Sequence, residues 1–267
     1  MKIWKKLTFL LTLTSSYVFA HDIHEDAQKE WIQQGFIKSL TDGIARKIPS
    51  ELPLEETDVL PDTLRCQIVK DIKCYGLYLK ILSILKTTKP TTDSLELDDI
   101  PVKTLPSKIA TFTQLSKLSL KKDSLEEFPK VLKELRQLKE LNLSQNQISI
   151  IPGIINHFKA LELLNLEENA IIELPSELYE LENLRKLNLG YNNISTISPD
   201  IGKLKNLRVL NLAGNNLYSI PEEILDLPHL TELHLEGNVH LFIPPKLKAE
   251  LIKKVRFCYL PEEKLPH

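Results

Sequence analysis

One pattern recurs through most of this chain. Copies of L-x-x-L-x-L-x-x-N, or D in the first, begin at Leu115, Leu138, Leu161, Leu184, Leu207 and Leu230, each 23 residues after the last. A degenerate copy begins one step earlier, at Thr92. A fixed period of this length is the signature of a solenoid, in which each unit packs only against its neighbours. One unit cannot bury its own apolar side. The units must therefore stack, and the usual size limit on a single core does not apply to a chain of 267 residues.

Position four of the repeat is Leu in all seven copies, from Leu95 to Leu233, and position six is Leu from Leu97 to Leu235. A polar residue separates them in every copy, so each short run alternates with period two. That is a strand with one face in a core. Seven such strands, stacked in register, predict a parallel sheet. Position nine carries Asn146, Asn169, Asn192, Asn215 and Asn238, with Asp123 in the first full copy. Here the chain leaves the strand and buries loop amides and carbonyls that need partners. An Asn side chain offers both a donor and an acceptor, so the column reads as a structural ladder.

The back half of each unit reads x-L-x-x-[IL]-P-x-x-[IL]-x-x-L. Pro106, Pro129, Pro152, Pro175 and Pro221 follow an apolar residue, and proline suits the first position of a short helix or 3-10 turn. Apolar residues three and six places later keep one side of that turn towards the core. The copy at Leu184 departs, with Ser198-Pro199 in place of a leading proline.

The flanks are different in kind. Lys2, Lys5 and Lys6 precede an apolar run, Leu7–Phe19, and Val18-Phe19-Ala20 has small residues where an export signal is cut. Residues 1–20 are read as a signal peptide, leaving no membrane span after its removal. Without those three lysines, 31 basic residues face 36 acidic ones, a net charge of −5, which argues against nucleic acid as a partner. Residues 21–91 are read as a helical N-terminal cap. Trp31, Phe36, Ile37, Leu40 and Ile44 lie at helical spacing, Pro49, Pro53 and Pro61 punctuate a linker, and Asp62–Lys86 is again helical in pattern. Repeats fill 92–245. Pro244-Pro245 opens a final helical run, Lys246–Lys254, and Val255–Leu260 reads as a closing extended segment, so 246–267 forms a C-terminal cap and tail. Cys66, Cys74 and Cys258 are read as three structural thiols.

Residues 92–245 resemble leucine-rich repeats of the 23-residue class, with the L-P-x-x-[IL]-x-x-L back half. Joined to the export signal and caps poor in cysteine, they are similar to exported leucine-rich-repeat proteins of bacteria, spirochaetes among them. The resemblance implies an α/β solenoid with a curved parallel sheet on its concave face and short helices or 3-10 turns on its convex face. It also implies a protein partner held on the concave sheet.

The concave face is read from positions two, three, five, seven and eight. Position five gives Asn142, Asn165, Asn188 and Asn211, which suit an exposed polar column and equally a binding role. Charges come in bands, and Lys186 and Arg208 lie in a basic one. Leu163, Val209 and Tyr191 break the polar rule and are candidate anchors for a partner. Scattered surface hydrophobes are the plain alternative.

No G-x-S-x-G, H-E-x-x-H or P-loop occurs, so no enzyme activity is expected. His21 and His24 beside Glu25 and Asp26, and His234 and His240 near Glu232 and Glu236, lack the spacing of a tetrahedral structural metal site. No metal or cofactor is expected. The expected role is a non-catalytic exported scaffold, secreted, periplasmic or at the cell surface, that binds a protein, with host recognition as one setting. A structural or envelope assembly protein is the alternative. Oligomeric state and ligand are not encoded in any motif.

Overall fold

Three residues of every repeat adopt strand geometry in the computed structural model, which describes residues 80–261 apart from Leu82 and Thr104. The strands are β1 (Ser94–Glu96), β2 (Lys117–Ser119), β3 (Glu140–Asn142), β4 (Leu163–Asn165), β5 (Lys186–Asn188), β6 (Val209–Asn211), β7 (Glu232–His234) and β8 (Phe257–Tyr259). They form one parallel sheet in chain order. The register puts Leu95, Leu118, Leu141, Leu164, Leu187, Leu210 and Leu233 side by side, one repeat apart. Cys258 then takes the next place beside Leu233.

The core follows from the repeat. In the unit at Leu138, the side chains of Leu138, Leu141, Leu143, Ile148, Ile151, Ile155 and Phe158 are all buried. The same positions in the other units make one continuous apolar cluster from Ile81 to Val255. Phe112 and Phe158 are its largest fully buried side chains, and Phe128 packs at a tilt against Phe158, 6.3 Å between ring centres.

The connection behind each strand is a 3-10 turn of five residues: Ser107–Thr111, Lys130–Glu134, Gly153–His157, Ser176–Glu180, Pro199–Lys203 and Glu222–Asp226. Five prolines sit just before these turns rather than at their first position. Pro106, Pro129, Pro152, Pro175 and Pro221 are extended, with φ between −61° and −76°, and cap the turn that follows. The proline ring fixes φ where the chain is still extended, and the lost N–H leaves no bond unmade there. Each proline carbonyl accepts from the N–H three residues on, as in Pro152 to Ile155 at 3.0 Å. The odd copy restores the helical arrangement. Ser198 is the cap, its Oγ accepts from the Asp200 N–H at 3.2 Å, and Pro199 is the first residue inside.

The two ends of the array differ from its middle. Residues 80–81 and 83–87 are helical, and Ile81 and Leu85, one turn apart, join the core beside Leu95 and Leu97. Thr88 Oγ1 closes this segment by donating to the Ile84 carbonyl at 2.8 Å. The expected export signal, the rest of the expected N-terminal cap, Cys66, Cys74, His21 and His24 lie outside the described residues. At the other end, α1 (Pro245–Lys254) replaces the 3-10 turn and buries Leu247 and Leu251. The closing extended segment then goes further than expected. It becomes an eighth strand, bonded to β7.

Candidate functional site: the open face of the sheet

Strand alternation divides each repeat into a buried leucine pair and an outward residue between them. The outward side chains line up in columns because the register steps by whole repeats. At position three, Lys117, Glu140, Leu163, Lys186, Val209, Glu232 and Phe257 follow one another. Position five gives Ser119, Asn142, Asn165, Asn188, Asn211, His234 and Tyr259.

The asparagines at position five have an internal task. Oδ1 of Asn142, Asn165, Asn188 and Asn211 each accepts the backbone N–H two residues on, at Ser144, Glu167, Gly190 and Ala213, at 2.9–3.2 Å. This closes the bend at the end of each strand. Their amide nitrogens are left for other use, and that of Asn142 donates to Ser119 Oγ at 3.2 Å.

The asparagines at position nine hold adjacent coils together. Asn192 shows the scheme: its Oδ1 accepts from Ile171 N–H at 3.0 Å, and its Nδ2 donates to the carbonyls of Leu166, Leu189 and Gly190 at 2.9–3.2 Å. Asn146, Asn169, Asn215 and Asn238 repeat the same set one coil at a time. Asp123 stands in this column too, fully buried. Its Oδ1 accepts from Ile100 N–H at 2.9 Å, but Oδ2 has no partner. Where an amide would donate to carbonyls, a carboxylate has nothing to give. Burial pushes its pKa up to about 7, the Asp98 and Asp99 carboxylates add to this, and the Ile100 bond opposes it.

Between these columns runs a backbone requirement. Position eight is Asp99, Lys122, Gln145, Glu168, Tyr191, Gly214 and Gly237, and every one has φ between +53° and +75°. Only the glycines adopt this without steric cost. Tyr191 is the bulkiest side chain held there, and it is 59% exposed.

The three candidate anchors are set apart. Leu163 and Val209 are half-buried and share a column, but Lys186 stands between them. Tyr191 lies five residues beyond Lys186, on the rim. Lys186 and Arg208 are exposed. Sequence reasoning missed Phe257 and Tyr259, which extend the two columns and are 46% and 47% exposed. Tyr259 stacks on His234 with centroids 4.4 Å apart. His234 in turn binds Glu232 through Nε2 at 2.8 Å and Glu236 through Nδ1 at 3.0 Å. Only the imidazolium can donate at both nitrogens. Burial acts to lower its pKa, but the two carboxylates outweigh this and hold it above the ordinary histidine value. His240 is exposed and stacks on Tyr218 with ring centroids 5.8 Å apart. Among the described residues no cluster of three His, Cys, Asp or Glu side chains is arranged to hold a metal. Nor is any described helix long and apolar enough to cross a membrane.

Comparison with known proteins agrees with this geometry. The leucine rich repeat family model matches residues 113–171 and 182–239. Among solved structures, a leucine-rich-repeat protein of Leptospira interrogans is 26% identical with a TM-score of 0.51, covering 66% of this chain. This chain spans 57% of that protein's length. Internalin C2 of Listeria monocytogenes is 24% identical with a TM-score of 0.54, over 63% of this chain and 70% of its own. A plant peptide hormone receptor, solved in complex with the peptide RGF2, is 23% identical with a TM-score of 0.52, over 67% of this chain and 33% of its own. A search of curated protein sequences finds no match. Matched repeats and shared architecture together identify leucine-rich repeats in residues 113–171 and 182–239, and the chain resembles bacterial leucine-rich-repeat proteins.

Proposed function

We propose that the chain is a non-catalytic, exported scaffold that binds a protein on the open face of its sheet. The observation that carries this reading is the division of labour within each repeat. Leucines and position-nine asparagines hold the coils, and position-five asparagines close the bends. What remains is a row of outward side chains with no structural duty, among them Tyr191, Lys186 and Arg208. Tyr191 supports the reading most. A bulky ring in left-handed backbone, facing water, costs stability without returning any to the core. Export is supported by the lysine-led apolar start and the V-F-A ending at Ala20. Host recognition is one setting for such a scaffold.

Cross-linking capture with the chain lacking residues 1–20 as bait tests the reading. A partner joined through the open face is expected, and Tyr191→Ala with Leu163→Ser is expected to lose it. Undiminished capture by that variant would reject the anchors. Retention of all the protein in the envelope fraction, with self-cross-links alone, would favour assembly instead.

A further inference from the structure

Charge on the open face changes character along the array. On its first strands the signs are mixed and several are matched. Lys122 meets Asp99 at 2.8 Å, Lys117 meets Glu140 at 2.7 Å, and Arg185 meets Glu162 at 3.3 Å. Lys121 is tied through its N–H to the Asp98 carboxylate at 2.9 Å.

From β5 onward three cations of this face stand outside the ion pairs of the described residues. Lys186 on β5 and Arg208, one residue before β6, are exposed, and among the described residues neither has a carboxylate in salt-bridge range. Arg256, one residue before β8, lies over the Phe257 ring at 5.1 Å, and among the described residues no carboxylate pairs with it. On the open face of this half, Glu232 and Glu236 both grip His234. The cations therefore edge a surface that carries Val209, next to Lys186 in the ladder, and, beyond Glu232 held by His234, Phe257 and the Tyr259 ring stacked on His234. Neighbouring strands lie ~4.8 Å apart, so these groups fall within the span of a few residues of extended chain.

We propose that the surface over β5 to β8 binds an acidic protein segment in which carboxylates bracket an aromatic or aliphatic side chain. This rests on the scaffold reading above and names the partner's chemistry. Among the described residues Lys186, Arg208 and Arg256 form no ion pair that carboxylates of the segment would have to break. The apolar side chain covers Val209 and Tyr259, where water gains least. A long polyanion such as nucleic acid fits worse. Its phosphates would run on to Glu162, Glu167 and Glu168 at the β4 side.

The test is selection from a random peptide library displayed on phage, against the full chain and against Lys186→Glu/Arg208→Glu. Circular dichroism of both proteins controls for folding. The full chain is expected to enrich peptides with Asp or Glu flanking an aromatic or aliphatic residue. Their synthetic copies should lose affinity about tenfold or more on the double reversal and weaken with salt. Lys117→Glu, at the far end, should leave them unchanged. The reversed protein should select basic peptides instead. Pools without acidic enrichment, pools identical for both proteins, or a preference for a fluorescent oligodeoxynucleotide would each overturn the proposal. If acidic peptides fail while a captured protein cross-links to β1–β3, the scaffold reading stands and this one falls.

Discussion

The ring of Tyr191 occupies the space beside Gly214, its counterpart one coil later. A methyl group built on Gly214 would stand 2.6 Å from Tyr191 Cδ1. Both residues are in the left-handed region, at φ of +54° and +62°. Gly214→Ala must therefore push the ring away and adopt a strained backbone. We expect a loss of about 1–2 kcal/mol in urea unfolding. Adding Tyr191→Ala should recover part of it, since the clash goes and the strain stays. A double variant no better than the single would show that the ring is not what Gly214 accommodates.

Asp123 gives the protein a pH dependence of definite sign. Its folded pKa, about 7, lies above the ordinary carboxylate value of 3.8. The folded state thus holds the proton more tightly, and the stability this brings is complete below about 3.8 and lost as pH rises to about 7. Asp123→Asn keeps an acceptor for Ile100 N–H and restores an amide donor. It should stabilise the chain by roughly 3–4 kcal/mol at pH 8, with the gain shrinking towards zero at pH 4. Urea midpoints of both proteins across that range decide it. A gain that does not vary with pH would mean the carboxylate is not the cause.

Removing one rung of the asparagine column should be costly. Asn192→Leu orphans the Ile171 N–H and the bonds to Leu166, Leu189 and Gly190 carbonyls. The penalty for buried unpaired groups suggests about 1–3 kcal/mol. An unchanged urea midpoint would contradict this account of the column.

His234 fastens the last strand. Its raised pKa means the charged ring contributes stability that is full below the ordinary histidine value and lost as pH climbs through the higher folded one. The Leu235 N–H, bonded to the Tyr259 carbonyl at 2.8 Å, reports on that strand. Its hydrogen-exchange protection should fall over this window relative to Leu189 N–H, which bonds Asn211 in mid-sheet at 2.8 Å. His234→Gln should flatten the difference. Equal protection at all pH values would remove the fastening role.

The architecture was legible where a requirement falls on side chains. Leu141 and Leu143 announce a half-buried strand, and their recurrence sets the register. Requirements on the backbone leave no such mark. Asp99, Lys122, Gln145, Glu168 and Tyr191 share no chemistry, yet all take left-handed φ, and only Gly214 and Gly237 hinted at it. The extended segment at Val255–Leu260 was legible, but its place in the sheet was hidden for another reason. Phe257-Cys258-Tyr259 lacks the leucine pair and comes two residues late, because α1 is longer than the 3-10 turn it replaces. On the open face, sequence pointed to Leu163, Val209 and Tyr191 as exceptions to polarity. It did not reveal that Lys186 separates the first two. Nor did it reveal that the position-five asparagines bond their own backbone.

From β1 to β7 every coil meets the next through the same 23-residue offset, so the cut ends of any whole coil there already match each other. Excising residues 138–160 brings Gln137 to Leu161, a junction with the same partners as the original. The molecule's length is thus adjustable in whole steps, while loss of a single residue would put leucines where asparagines belong. A reach that can be lengthened or trimmed without redesign is what the repeat confers.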